Sequence, residues 1–282
     1  MKTILVPTDF SANAYAALQY AAQLYAETEC TFIIVHSFEN QVSHMTSRVD
    51  IAKTEAVVAE FYSTYEEQCD EVKHAIAKDV PNANHSYKTI ATSLTLARAI
   101  NKLIVKEQAD LVVMGNKGST GAADILVGSN TLAMIRKIKK ASLLIIPQDF
   151  EFKSVEKIAF ATGFKRPYSK VELEPLLELV GKTNATVKVV YVQKKEKKSD
   201  EQRANAHQLH EILEETNPEN NWLPGTSDTY NAITSYIQKE NIDLLAMIYY
   251  KHNVFVRLFR EATVKDIAKF SLIPFLIVPA QD

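Results

Sequence analysis

Short apolar runs punctuate the chain, separated by longer stretches in which apolar residues return every three or four positions. Ile4-Leu5-Val6-Pro7, Thr31 to His36, Leu111 to Met114 and Leu143-Leu144-Ile145-Ile146-Pro147 are nearly unbroken apolar segments. Such segments mark strands covered on both faces in a parallel sheet. Tyr87 to Ala91 reads as a weaker strand of the same kind. Between these runs the period changes. Ser11 is placed to cap an alanine-rich helix running to about Tyr25, and a long helix is expected from about Val49 to Lys78, after a loop. Ser93 is expected to cap a helix to Glu107, Asp110 to open the fourth strand, and Leu132 to Lys140 to lead into the fifth. Strands and helices alternating at these lengths predict a right-handed, doubly wound α/β sheet.

The second half repeats the first. Lys157 to Phe164 echoes Thr3 to Phe10, and Thr186 to Tyr191 echoes Thr31 to His36. Asp243 to Met247 echoes Asp110 to Met114, and Phe275 to Pro279 echoes Leu143 to Pro147. The offset falls from 155 at the second strand (Thr31 to Thr186) to 133 at the fourth (Asp110 to Asp243). The second copy is therefore 22 residues shorter where the first has its long helix. Two tandem domains follow, 1–148 and 154–282. The charged run from Lys194 to Glu201 reads as solvated loop or helix start.

One stretch carries chemistry. From Gly115 to Ser129 the chain places four glycines (Gly115, Gly118, Gly121, Gly128) and three hydroxyl residues in fifteen positions, between the fourth strand and the next helix. Glycines let backbone N–H groups approach a phosphate, and a helix N-terminus adds unpaired donors and a favourable dipole. A flexible loop that uses glycines only for its turns is the alternative. The spacing is not that of a Walker loop, and the loop does not follow the first strand as a dinucleotide fingerprint would.

The form Gly-x2-Gly-x9-Gly-Ser, filled by Gly115, Gly118, Gly128 and Ser129, resembles the nucleotide motif of ATP-binding universal stress proteins. The resemblance extends over both halves. It implies a five-stranded parallel sheet of order 3-2-1-4-5 in each domain, paired about a pseudo-two-fold axis through the fifth strands. It also implies that Asp9 bonds the ribose or adenine, that Pro7 and Thr8 shape the wall, and that the backbone near Val35 and His36 borders the base. The phosphates would fall to Gly115, Gly118, Gly128, Ser129 and Thr131, with Lys117 supplementing the charge; Met114 and Asn130 count among the binding positions, although Asn130 stands where the family commonly carries an apolar residue. Asp9 could instead cap the first helix, or do both, and Lys117 could be merely solvated. The implied cofactor is ATP, with Mg²⁺ or Mn²⁺ arriving on the nucleotide. Binding is implied, with slow or absent hydrolysis, because Asp124 is the only acidic residue inside the motif and nothing marks it as a base or metal ligand.

Composition restricts the partners. A net charge of −2 over 282 residues gives no electrostatic footprint for nucleic acid or an anionic membrane. No apolar run has the length of a membrane span, and Met1-Lys2-Thr3 leads directly into a strand, so a cytoplasmic protein is expected. Cys30 and Cys69 suit reduced, buried positions rather than a disulfide framework. Homodimerisation stays open.

The repeat abandons the motif. Asp9 becomes Gly163, the Gly115 position is Ile248, and Arg260 and Glu261 stand near the Gly128-Ser129 positions. The second domain is expected to act as a structural or regulatory partner, or to bind a different ligand or a protein through the apolar loop from Ile248 to Phe259. His207 and His210, beside Glu211 and Glu214, come close to metal-ligand spacing on a helix but do not complete a site. The leading reading is a stress-response protein whose first domain binds ATP and acts as a nucleotide-dependent regulator. The alternatives are a slow ATPase or nucleotidyl transferase, and a non-nucleotide adaptor.

Overall fold

Strands form where the sequence supplies residues that can be buried on both sides. The computed structural model describes residues 1–45, 51–117, 128–193, 198–224, 229–249 and 272–280. The chain divides into two units, Met1–Phe152 and Lys153–Asp282. In the first, β1 (Lys2–Thr8), β2 (Cys30–Ser37), β3 (His85–Thr92), β4 (Leu111–Gly115) and β5 (Ser142–Ile146) pair in parallel in the order β3-β2-β1-β4-β5. Every residue of β4 and β5 is buried, as continuous apolar runs require. The helices are α1 (Ala12–Leu24), α2 (Glu39–Met45), α3 (Ile51–Asp79), α4 (Leu96–Lys106) and α5 (Ser129–Lys137).

The second unit contains β6 (Lys157–Ala161), α6 (Lys170–Thr183), β7 (Thr186–Gln193), α7 (Asp200–Leu213), β8 (Glu219–Pro224), α8 (Thr229–Glu240), β9 (Leu244–Tyr249) and β10 (Phe275–Pro279). Its strands follow the same plan, β8-β7-β6-β9-β10, all parallel.

Two small devices recur in both units. Asp110 donates its N–H to the Thr3 carbonyl and accepts the Thr3 N–H at Oδ2, and Asp243 makes the same pair of bonds with Lys157. These aspartates clamp the amino ends of neighbouring strands. At the other end, Thr8 Oγ1 accepts the Phe10 N–H at 3.0 Å, and Thr162 Oγ1 accepts the Phe164 N–H at 3.3 Å. Phe10 and Phe164 both take left-handed backbone angles, φ 63° and 53°. A bulky residue pays for that geometry, and each ring recovers contacts by packing on aromatic neighbours. The turn survives in the second unit although Asp9 has become Gly163, so it belongs to the fold rather than to a ligand.

Three sequence expectations need correction. Ser93 does not cap α4. The N-cap is Thr95, and Ser93 Oγ instead meets the Tyr62 hydroxyl at 3.2 Å, a long-range contact that local pattern cannot reveal. The stretch after β2, expected as loop, opens with α2. β8 had no counterpart in the sequence reading, because Glu219-Asn220-Asn221 is a polar, half-exposed edge strand without apolar alternation. The run Lys194 to Glu201 falls partly outside the described residues. Its end does begin a helix, with Ser199 and Gln202 forming a reciprocal capping box.

Candidate nucleotide site

The carboxyl ends of β1 and β4 are neighbours, with Ile4 paired to Leu111 and Leu5 to Val112. Between them the strand order reverses, which is where doubly wound sheets hold ligands. The segment leaving β1 is built around the helix cap. Ser11 is the N-cap of α1, accepting the Ala14 N–H at 3.2 Å. Asp9 does not cap the helix itself. Its Oδ1 accepts the Ser11 N–H at 3.2 Å and the Ser11 hydroxyl at 2.6 Å, so the carboxylate orients the capping residue.

The segment leaving β4 is pinned at its base. Gly128 donates its N–H to the Asn116 carbonyl at 2.8 Å, and Asn116 donates its own to Ile146 at 2.9 Å. Asn13, buried on α1, donates through Nδ2 to Asn116 Oδ1 at 3.1 Å and to the Lys117 carbonyl at 2.9 Å. A Cβ on Gly115 would lie 2.5 Å from Asn13 Nδ2 and 2.8 Å from its Cγ. Gly115 is therefore a glycine because Asn13 packs against it. No described glycine takes a positive φ, so close approach rather than backbone freedom explains this one. Thr131, buried on the first turn of α5, donates its hydroxyl to the Gly115 carbonyl at 3.1 Å. That proton is spent on bracing the strand end.

α5 begins at Ser129 with Gly128 as its N-cap, a residue with no side chain to offer the first N–H groups. Ser129 and Asn130 are exposed. The first turn of a helix left in this state attracts anions. Among the remaining sequence-selected residues, Pro7, Thr8, Val35 and Met114 are buried, so Val35 and Met114 can offer a ligand only backbone groups. Lys117 is half-buried. Gly118, Gly121 and Asp124 lie outside the described residues.

His36 closes the wall on the β2 side. Its Nδ1 donates to the Thr8 carbonyl at 2.9 Å, which fixes the tautomer, and its ring lies between Phe10 (4.4 Å between centroids) and Tyr65 (4.6 Å). Burial lowers its pKa, outweighing the opposing pull of the Thr8 carbonyl and the Asp9 charge. Phe38, Phe61 and Tyr62 extend the cluster along α3. Cys69 is buried nearby, its thiol pushed up to about 12 by burial and by the charges of Asp70 and Glu66, so it is an inert core residue. Cys30 is likewise free and buried. Sequence reading missed Asn13, Asn116 and Tyr65. The available signal for Asn13 was an amide set among alanines on a buried helix face.

The protein-family comparison matches the chain over residues 1–147 to the model described as "Universal stress protein family". The chain belongs to the universal stress protein family. A universal stress protein of Methanocaldococcus jannaschii is 26% identical over 155 residues, spanning 51% of this chain and 94% of that protein. Among solved structures, a universal stress protein from Archaeoglobus fulgidus superposes with a TM-score of 0.67 at 18% identity, over 99% of this chain and 97% of that one. A putative universal stress protein from Pseudomonas aeruginosa gives 0.56 at 12% identity, over 99% and 93%. At those identities the likeness establishes the α/β fold, and it extends along both units. Family membership is carried by the first unit, where the glycine loop lies.

Among the described residues no helix is long and apolar enough to cross a membrane, and no group of three or more His, Cys, Asp or Glu side chains could hold a metal ion. His207 is exposed and reaches Glu211 at 3.3 Å on the surface of α7, an ordinary i,i+4 pair. Of the apolar loop singled out in the second half, Ile248 is a buried β9 residue and Tyr249 ends that strand, while 250–259 lie outside the described residues.

Proposed function

We propose that the first unit binds an adenine nucleotide, ATP, and that the chain serves as a nucleotide-dependent regulator in a stress response, in the cytoplasm. The observation that carries this reading is the start of α5, whose glycine N-cap offers no side chain, pinned beside the strand end at Gly115 and tied through Asn116 to Asn13 on α1. Backbone N–H groups of Ser129, Asn130 and Thr131 are the donors for the phosphates, with Lys117 adding positive charge. A carboxylate can accept more than the two bonds that Ser11 gives it, so Asp9 can take a ribose hydroxyl without releasing the helix cap. Backbone at Val35 and His36 borders the base. Mg²⁺ or Mn²⁺ would arrive on the nucleotide. Binding comes with slow or absent hydrolysis, as the family resemblance implies.

Denaturing purified protein and analysing the released small molecules should recover adenine nucleotide, and calorimetry should detect binding of ATP with Mg²⁺. Gly128→Val should weaken that binding at least about tenfold, since it crowds the start of α5, while far-UV circular dichroism stays unchanged. Protein that carries no nucleotide and gives no heat with ATP would remove the reading. A rapid turnover would replace the regulator with an enzyme.

A further inference from the structure

The second unit builds an aromatic cage where the first has its Phe10–His36 stack. Phe164 follows β6, Tyr191 lies near the end of β7, and Trp222 is its register partner on β8. All three sit at the carboxyl ends of parallel strands, the ligand-binding end of this architecture. Their ring centroids are 5.2 Å (Phe164–Tyr191), 5.7 Å (Tyr191–Trp222) and 6.1 Å (Phe164–Trp222) apart, with interplanar angles of 34°, 77° and 51°. At these separations the rings pack on one another, and they border a single space that lies over them rather than between them. Phe164 and Tyr191 are buried, whereas Trp222 is 48% exposed, so one wall meets solvent.

The space holds a cation. Lys198 Nζ lies 3.1 Å from the Trp222 centroid, 4.8 Å from Tyr191 and 5.1 Å from Phe164. Among the described residues no carboxylate pairs with it. The pivot of this side chain is fixed. The Lys198 carbonyl accepts from Arg203 Nη1 at 2.6 Å, and Ser199 caps α7. The fit is nevertheless poor chemically. A primary ammonium has three strongly hydrated N–H groups, and aromatic faces return little of the water it gives up. Burial accordingly lowers the pKa of Lys198. A methylated ammonium has no N–H to satisfy, is weakly hydrated, and gains the same attraction from the rings.

The cage is particular to this unit. Tyr191 stands where the first unit has His36, and Trp222 stands where register places Ala91; the third ring of the first unit, Tyr65, comes from α3 instead of the neighbouring strand. Asp9, the anchor of the first site, is Gly163 here. We propose that Phe164, Tyr191 and Trp222 form a binding site for a small molecule bearing a methylated ammonium group, with Lys198 as the tethered occupant that the ligand displaces. The site lies wholly in the second unit and does not depend on nucleotide binding in the first.

Trp222 is the chain's single tryptophan, so its fluorescence reports on the cage directly. The full-length protein should be titrated with choline and, separately, with its neutral isostere 3,3-dimethylbutan-1-ol. The expected result is a saturable change with choline and none with the alcohol. Removing the tethered competitor by Lys198→Ala should tighten choline binding about fivefold, the factor set by a lysine that fills the site about four-fifths of the time. Adding Tyr191→Leu to that variant should abolish the response. Absence of a saturable signal in Lys198→Ala would overturn the proposal and leave the rings as a clamp for their own lysine. So would an equal response to the alcohol, a comparison that does not depend on whether the Tyr191 variant folds. A trimethyllysine peptide binding more than about tenfold tighter than choline would overturn the small-molecule assignment in favour of a protein partner.

Discussion

Replacing Gly115 by alanine tests whether this glycine serves the packing of Asn13. The new Cβ would stand 2.5 Å from Asn13 Nδ2, 2.8 Å from Cγ and 3.1 Å from the Asn13 carbonyl oxygen. Relief requires the amide to move by about 1 Å, since ordinary contacts begin near 3.4 Å. The two bonds it donates, at 3.1 Å to Asn116 and 2.9 Å to Lys117, cannot survive that shift. Each is worth about 1 kcal/mol net, and a buried acceptor left without its donor costs a further 1–3 kcal/mol or so, so the variant should lose about 2–4 kcal/mol locally. Hydrogen exchange read by mass spectrometry at the amides of β1 and β4 is the appropriate assay, because it resolves this region from the second unit. Exchange there should accelerate roughly thirty- to thousandfold. Asn13→Ala alone should give part of the same loss, and Gly115→Ala should then cost much less in the Asn13→Ala background. An undiminished penalty in that background, or exchange unchanged by Gly115→Ala, would refute the steric argument and return Gly115 to a ligand-facing role.

Two further perturbations test the neighbouring contacts. Thr131→Val keeps the shape of a buried side chain but leaves the Gly115 carbonyl without that donor, so it should cost about 1–2 kcal/mol in urea denaturation; a loss below about 0.3 kcal/mol would show the bond to be dispensable. His36 has a folded pKa depressed by burial, so the unfolded chain binds the proton more readily. Its contribution is present above the unfolded value of 6.5 and is lost as pH falls toward the folded pKa, with a slope of at most about 1.4 kcal/mol per pH unit. The stability difference between wild type and His36→Gln should therefore shrink between pH 7 and 5, and parallel pH profiles would contradict the buried, neutral imidazole.

How far the site could be read from sequence depended on how local its causes are. The Ser11 cap was legible because side chain and target N–H are three residues apart. Asp9 left capping open as one alternative, and the structure shows it bracing Ser11 instead, since sequence does not distinguish the cap from the group that orients it. Gly115 was found for a reason the packing changes. Spacing suggested a phosphate contact, whereas the Cβ geometry points to Asn13, which is 102 positions away in the chain. Ser93 failed as a cap because its hydroxyl turns to Tyr62 on a different element.

The sequence by itself determined the strands apart from β8, the helices of the first unit apart from α2, and the internal repeat. Each of these follows from which residues must leave water over a few consecutive positions, and burial is periodic in the backbone geometry. Asp110 and Asp243 were visible as matching residues at matching strand starts, but their clamp on the neighbouring strand is a tertiary contact. Tertiary structure alone decided the rest. Parallel register set Tyr191 beside Trp222, and a left-handed turn brought in Phe164. The capped start of α7 then carried Lys198 among the three rings. No local pattern encodes that cage, because its walls come from three strand ends and its occupant from a fourth segment, and only the sheet's register makes them neighbours.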